Sequence, residues 1–270
     1  MILGKWMKIF YNSPSWALGA SGFVLGCMAF FVILLWIARK YLPHDQLRKH
    51  HDVSGFVFGL VGVLYSVILG FVVINVHTRY DEAEQNIHNE AMALADLYRI
   101  ADFFPEPNRD FMRSSLSEYI SYIIQHEWDQ KGSRTWHLSM HPTLKQVWVA
   151  YGSVDVPDLK TSVCFDQSMK SLNRLMEARL SRAFNSLGHL SMLMWTILIS
   201  GALLTLCFMF FFSLESFRLQ MAMMALLAGY LSFMPFLVYT LDHVYEGPQA
   251  IQPEAFYEVL SLVTEENSNS

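Results

Sequence analysis

Four stretches of the chain are almost continuously apolar. Between the second and the third, apolar residues recur among charges at helical spacing. The stretches run from about Trp16 to Ile37, Gly55 to Val76, Gly188 to Phe212 and Gln220 to Leu241. Each is long enough for a hydrocarbon core of about 30 Å, which takes roughly 20 helical residues. The second leads straight from GFVFGLVGVLYSVILGFVVINV into HTRYDEAEQNIHNEAMALADLYRIADFF. Its last glycine is Gly70 and no proline follows until Pro105, so nothing local stops a helix where the apolar run ends. Beyond it, Ile87, Ala91, Leu94, Tyr98 and Ala101 mark one helical face. A single helix of about fifty residues would measure roughly 75 Å. The other arrangement is a break near Asn75 and two packed helices.

The segment after Phe104 reads as further helices. PEPN makes a turn, and Met112, Leu116, Tyr119, Ile123 and Trp128 line one side of a helix from about Arg109 to Trp128. His141-Pro142 starts a shorter helix to Tyr151, since proline suits a first helical turn. Leu159 to Leu187 lacks glycine and proline and carries alternating charges toward the third apolar stretch. The short connection SLESFRL makes spans 3 and 4 a hairpin, and Pro235 should kink span 4. After Pro253, Ala255, Phe256, Val259, Leu260 and Val263 give a tail helix one apolar face that packs on the helical domain. No useful β alternation occurs. The pattern predicts an all-α polytopic membrane protein with four transmembrane helices. Its extramembrane helical domain is built partly from extensions of transmembrane helices 2 and 3. The divisions are 1–54 (N-terminal segment, helix 1 and charged loop), 55–76 (helix 2), 77–187 (helical domain), 188–241 (hairpin of helices 3 and 4) and 242–270 (tail).

Composition agrees. Of 270 residues, 53% are hydrophobic and 16% charged, against about 25% charged in ordinary soluble domains. A net charge of -5 offers no basic footprint for nucleic acid. Cys27, Cys164 and Cys207 imply neither a disulfide framework nor a metal pattern. Lys5 and Lys8 precede an apolar run too long for a signal peptide, so the first span is read as uncleaved. Arg39, Lys40, Arg48, Lys49 and Arg218 on one side are balanced by Lys5, Lys8, Arg79, Lys170, Arg174, Arg179 and Arg182 on the other. Charge bias therefore leaves orientation open. The expected partners are the lipid bilayer and further copies of the chain.

Candidate chemistry is sparse. His44, Asp45, His50, His51 and Asp52 fit no zinc spacing and suit a charged membrane edge. His77, Asp81, Glu84 and His88 share a helical face, as a hydrated vestibule or a solvated face would. No nucleophile, phosphate-loop or dinucleotide motif occurs. Asp242 and His243 are a neighbouring pair with no third partner. No enzyme, metal or cofactor is expected. The spans lack internal charge, which argues against a proton-coupled transporter. Four spans can still line a pore by symmetric association, gated by an apolar constriction. Leu69, Phe71, Val72 and Ile74, next to Asn75, are the candidate lining.

The run from Gly62 to Trp128 resembles the core of a bacterial bestrophin-like family. The resemblance rests on Tyr80-Asp81-x-Ala83, Glu90-Ala91, Leu97-Tyr98, Tyr119 and Glu127-Trp128. The arginine-bearing helix before span 3 and the segment LDHVYEGPQAIQPEAF fit too, and the likeness covers roughly residues 50–260. Bestrophins are pentameric anion channels with four spans per subunit, a span-2 helix lining the neck, and cytosolic helices. No acidic calcium-clasp run is present here, and the aromatic neck pattern has no residue-by-residue match. The resemblance implies a homo-oligomeric ion channel with an anion pathway near span 2, in the bacterial inner membrane, with termini and helical domain cytoplasmic. The alternative is a non-conducting membrane scaffold or sensor whose helical domain recruits a partner.

Overall fold

The computed structural model describes residues 16–41, 51–128, 141–156, 158–211, 216–246 and 249–268. Among them are eight α-helices and no strand: α1 Trp16–Tyr41, α2 His51–Ala101, α3 Asn108–Tyr122, α4 Pro142–Gly152, α5 Leu159–Leu187, α6 Met192–Phe208, α7 Phe217–Asp242 and α8 Glu254–Ser268. Four are long and apolar enough to cross a membrane: α1, α2, α6 and α7. The protein is an integral membrane protein. The chain divides into two units: one of residues 1–78, 189–243 and 247–249, the other of 79–188, 244–246 and 250–270.

α2 is one uninterrupted helix of 51 residues, about 77 Å at 1.5 Å per residue. The break considered near Asn75 does not occur. α5 ends at Leu187 and α6 begins at Met192. Span 3 therefore starts four residues later than its apolar run, and α5 is a separate helix. Gly188 adopts an extended conformation, and the Ser191 hydroxyl accepts from the Met194 amide at 3.3 Å to start α6. α7 continues through Pro235.

In the first unit, Tyr65, Leu69, Val72 and Val76 of α2 face Leu198, Ala202 and Leu206 of α6 and Met224, Ala228 and Leu231 of α7. Span 1 is tied to span 4 where Arg39 donates to Gln220 Oε1 at 3.1 Å and lies over the Phe217 ring. Among the glycines of spans 1 and 2, Gly22, Gly26, Gly59 and Gly62 have open space where a side chain would be. The tight positions are Gly229, against Met28, and Gly201, against the Tyr65 ring. A Cβ at Gly201 would overlap that ring. Gly201→Ala should thus cost about 1–3 kcal/mol by overpacking. The check is a lower Tm of the detergent-purified protein, while Gly62→Ala leaves it unchanged.

The second unit has its own core, built from α3, α4, α8, the extramembrane part of α2 and the side of α5 bearing Leu172 and Leu175. The starts of α4 and α5 are capped by side chains. His141 Nδ1 accepts from the Thr143 amide ahead of Pro142, and Asp158 accepts from the Thr161 amide at 2.7 Å. Tyr151 donates to the Leu97 carbonyl at 2.6 Å, and Tyr98 to that of Val263 at 3.3 Å, which fastens α8. α3 leaves α-geometry in its last turn: Ile123–Glu127 is π-helical, and the Trp128 amide bonds the Ile123 carbonyl at 3.1 Å. The extra residue in that turn brings Trp128 into line with Tyr119 and Ile123.

Candidate functional site

Two features stand out: the surface of α2 along its membrane span, and a charge cluster inside the second unit. Only 17% of the most apolar window of α2 is buried within the chain. The inward face consists of Tyr65, Leu69, Val72 and Val76. The opposite face carries Leu64, Val67, Ile68, Phe71 and Ile74, with Phe71 69% and Ile74 64% exposed, and Asn75 exposed beside them. The five candidate lining residues therefore do not share a face. Phe71, Ile74 and Asn75 look outward. Leu69 and Val72, roughly 140° round the helix at 3.6 residues per turn, are core residues of the subunit. A largely apolar span has no polar stripe to mark its outer side, which is why sequence alone grouped them.

Further along α2, His77, Asp81, Glu84 and His88 are all exposed, as are Glu82, Gln85 and Asn89. The helix there presents a polar surface with three neighbouring carboxylates. The histidine-loop residues His44, Asp45, His50, His51 and Asp52 lie outside the described residues and side chains.

In the second unit, Glu90 and Arg182 are both essentially without solvent exposure. Arg182 Nε donates to Glu90 Oε2 at 2.5 Å and Nη2 to Oε1 at 3.1 Å, a bidentate pair. The same Nη2 donates to Glu127 Oε2 at 2.8 Å, and Arg179 Nη2 to Glu127 Oε1 at 2.6 Å. Arg179 Nη1 donates to the Tyr119 hydroxyl at 2.8 Å, which donates onward to Glu90 Oε1 at 3.1 Å. The Arg182 guanidinium lies over the rings of Trp128 and Phe256. Two arginines and two glutamates balance, so the cluster is neutral, and it binds α2, α3 and α5 into one block. Burial alone would raise the Glu127 carboxyl, but Arg182 and Arg179 outweigh it and hold it below its ordinary value. Burial drives the Tyr119 hydroxyl well above its ordinary range, which keeps it a neutral donor. The arrangement has no nucleophile or general base facing solvent. Its chemistry is cohesion.

In the sequence Glu90 and Glu127 stand out as points of family resemblance, Tyr119 and Trp128 also as members of an apolar helical face, and Arg179 and Arg182 as charges on the long helix before span 3. Their meeting spans up to 92 residues of sequence, and no local pattern announces it. The detectable signal was the charge itself: glutamates and arginines falling on otherwise apolar helical faces.

A family model described as Bestrophin-like domain matches residues 25–256. None of the curated proteins matches the chain in sequence. Crystal structures of a bacterial bestrophin homologue from Klebsiella pneumoniae share the fold. One is 17% identical, with 90% of this chain and 97% of that chain covered, at a TM-score of 0.68. A single-residue mutant of it is 16% identical, with 91% and 99% covered, at 0.72. A second mutant is 14% identical, with 89% and 99% covered, at 0.69.

Proposed function

The chain belongs to the Bestrophin-like family, and from that premise we propose that it is an ion channel formed by a homo-oligomer, with the outward face of α2 toward the axis. The observation that carries this is the exposed run Leu64, Val67, Ile68, Phe71 and Ile74, ending in Asn75, on a helix that continues unbroken to Ala101. Lipid can cover such a face, but so can neighbouring copies arranged in a ring. Phe71 and Ile74 would then form an apolar constriction that gates by excluding water, with Asn75 as the first polar step. Val72 and Leu69 hold the helix against α6 and α7 instead.

The pathway is read as anionic because bestrophins conduct anions. A second reading, a cation pathway, is favoured by Asp81, Glu82 and Glu84, exposed within one turn of each other on the same helix. Rings of such carboxylates attract cations. Flux into liposomes separates the readings. Halide entry supports the first, and potassium entry that falls in Asp81→Asn with Glu82→Gln and Glu84→Gln supports the second. No flux of either ion from a well-folded oligomer, across pH and calcium, would shift the assignment to a scaffold that recruits a partner. The likeness to bestrophins, whose helices outside the membrane are cytosolic, supports a bacterial inner-membrane protein with its termini and helical domain in the cytoplasm. A phosphatase reporter fused after Ser270 should be inactive, and periplasmic activity would reverse that orientation.

A further inference from the structure

We propose that His189, Asp242 and His243 form a binding site for a divalent transition-metal ion of the zinc class. Asp242 is the last residue of α7 and His243 follows it, while His189 stands in the connection that precedes α6. All three belong to the membrane unit. One ligand atom from each lies within 4.8 Å of the others. Sequence spacing showed only the neighbouring pair, and the fold supplies the third group from 53 residues away.

Asp242 and His243 are held as ligands are. Asp242 Oδ1 accepts the Leu190 amide at 2.7 Å, which fixes the carboxylate. Its Oδ2 faces His189 Nδ1 at 3.9 Å. His243 Nδ1 lies 2.9 Å from the Tyr239 carbonyl. A carbonyl can only accept, so Nδ1 carries the proton and Nε2 holds the lone pair. This backbone bond is the kind that orients metal-bound imidazoles. The Tyr239 ring stacks on the His243 ring at 4.0 Å, and the two imidazoles stack at 5.0 Å.

Two imidazoles and one carboxylate are a zinc donor set. Bonds of about 2.0–2.2 Å place donors roughly 3.3 Å apart around a tetrahedral ion. The groups are thus somewhat wide of that geometry. His189, 53% exposed, can close the difference by rotating its ring and also gives an ion access from solvent. Three protein donors leave a fourth position for water. Cobalt, nickel and copper ions suit the same donors. A bound ion would join the start of α6 to the end of α7, pinning the hairpin at the end opposite its connecting loop.

The test is metal binding by the full chain, purified in detergent, stripped with chelator and titrated with Zn²⁺ and with Co²⁺. The expected result is one ion per chain at about micromolar Kd or tighter, with a rise in Tm on loading and the visible bands of Co²⁺ in a nitrogen and oxygen shell. His189→Ala and His243→Ala should each weaken binding at least about tenfold. Asp242→Asn, which keeps an acceptor for Leu190, should weaken it likewise, and His77→Ala with His88→Ala should not. His189→Gln serves if the alanine variant is poorly folded. Absence of binding at about 100 μM metal, or binding unchanged in the folded His189 variants, would overturn the proposal and leave a stacked histidine pair beside Asp242.

Discussion

Glu90→Ala should destabilise the helical unit by about 3–5 kcal/mol, the cost of leaving a buried charge without its partner. Arg182 loses both bonds of its bidentate pair and remains inside, 1% exposed, with only Glu127 to balance both arginines. Tyr119 loses its acceptor at the same time. At roughly 2–4 °C per kcal/mol for a protein of this size, Tm should fall by about 6–20 °C. Replacing both partners with apolar residues, Glu90→Leu with Arg182→Met, should cost much less than the sum of the single changes, because nothing charged is then stranded. A Tm for Glu90→Ala within about 2 °C of the parent would mean that the cluster does not hold the unit together. The pH dependence has a definite sign. The Glu127 carboxyl is held below its ordinary value, so its contribution is complete above the unfolded carboxylate pKa and is lost as pH falls through the folded one. Stability should be level near neutrality and decline only in acid. In Glu127→Gln, part of that acid decline should disappear.

Phe71→Ala should raise ion flux about tenfold or more, and Val72→Ala should not. Phe71 is exposed on the outer face of α2, whereas Val72, one residue on, is buried against α6 and α7. If Phe71 closes an apolar constriction, removing its ring eases wetting, and each 1.4 kcal/mol taken off the barrier is about tenfold in rate. Val72→Ala instead leaves a gap in the subunit core and should lower stability by about 1–2 kcal/mol. Fluorescence-reported flux into liposomes, with Tm measured on the same preparations, separates the two effects. Equal flux from parent and Phe71→Ala would remove this residue from the pathway.

Much of the architecture could be read from local pattern. The long glycine- and proline-free run after Gly70 gave the continuous α2, and the run from Leu159 to Leu187 gave α5 to the residue. The apolar face of the tail helix packs as its spacing implied, with Phe256 and Val263 wholly buried. Even the π-helical turn had a trace, in the five-residue step from Ile123 to Trp128 on an otherwise regular face. Other features escaped because they depend on long-range meeting. Glu90 finds Arg182, and His189 finds Asp242, only once the helices have packed. Inner and outer faces of α2 were indistinguishable because lipid and a protein core both select apolar side chains, so Leu69 and Val72 were grouped with Phe71. The start of span 3 was set too early because Gly188 and Leu190 look like membrane residues, while the Ser191 cap fixes the helix start at Met192.

Disulfide trapping in native membranes asks whether the outer face of α2 surrounds an axis between copies. Cys27, Cys164 and Cys207 are replaced by serine or alanine, and one cysteine is introduced as Phe71→Cys, Asn75→Cys or Val72→Cys. Mild oxidation should join copies through position 71 or 75 and leave the position-72 protein uncrosslinked. Cross-linking at 72 but not at 71 or 75, or none at any of the three in a protein that remains oligomeric, would contradict the account.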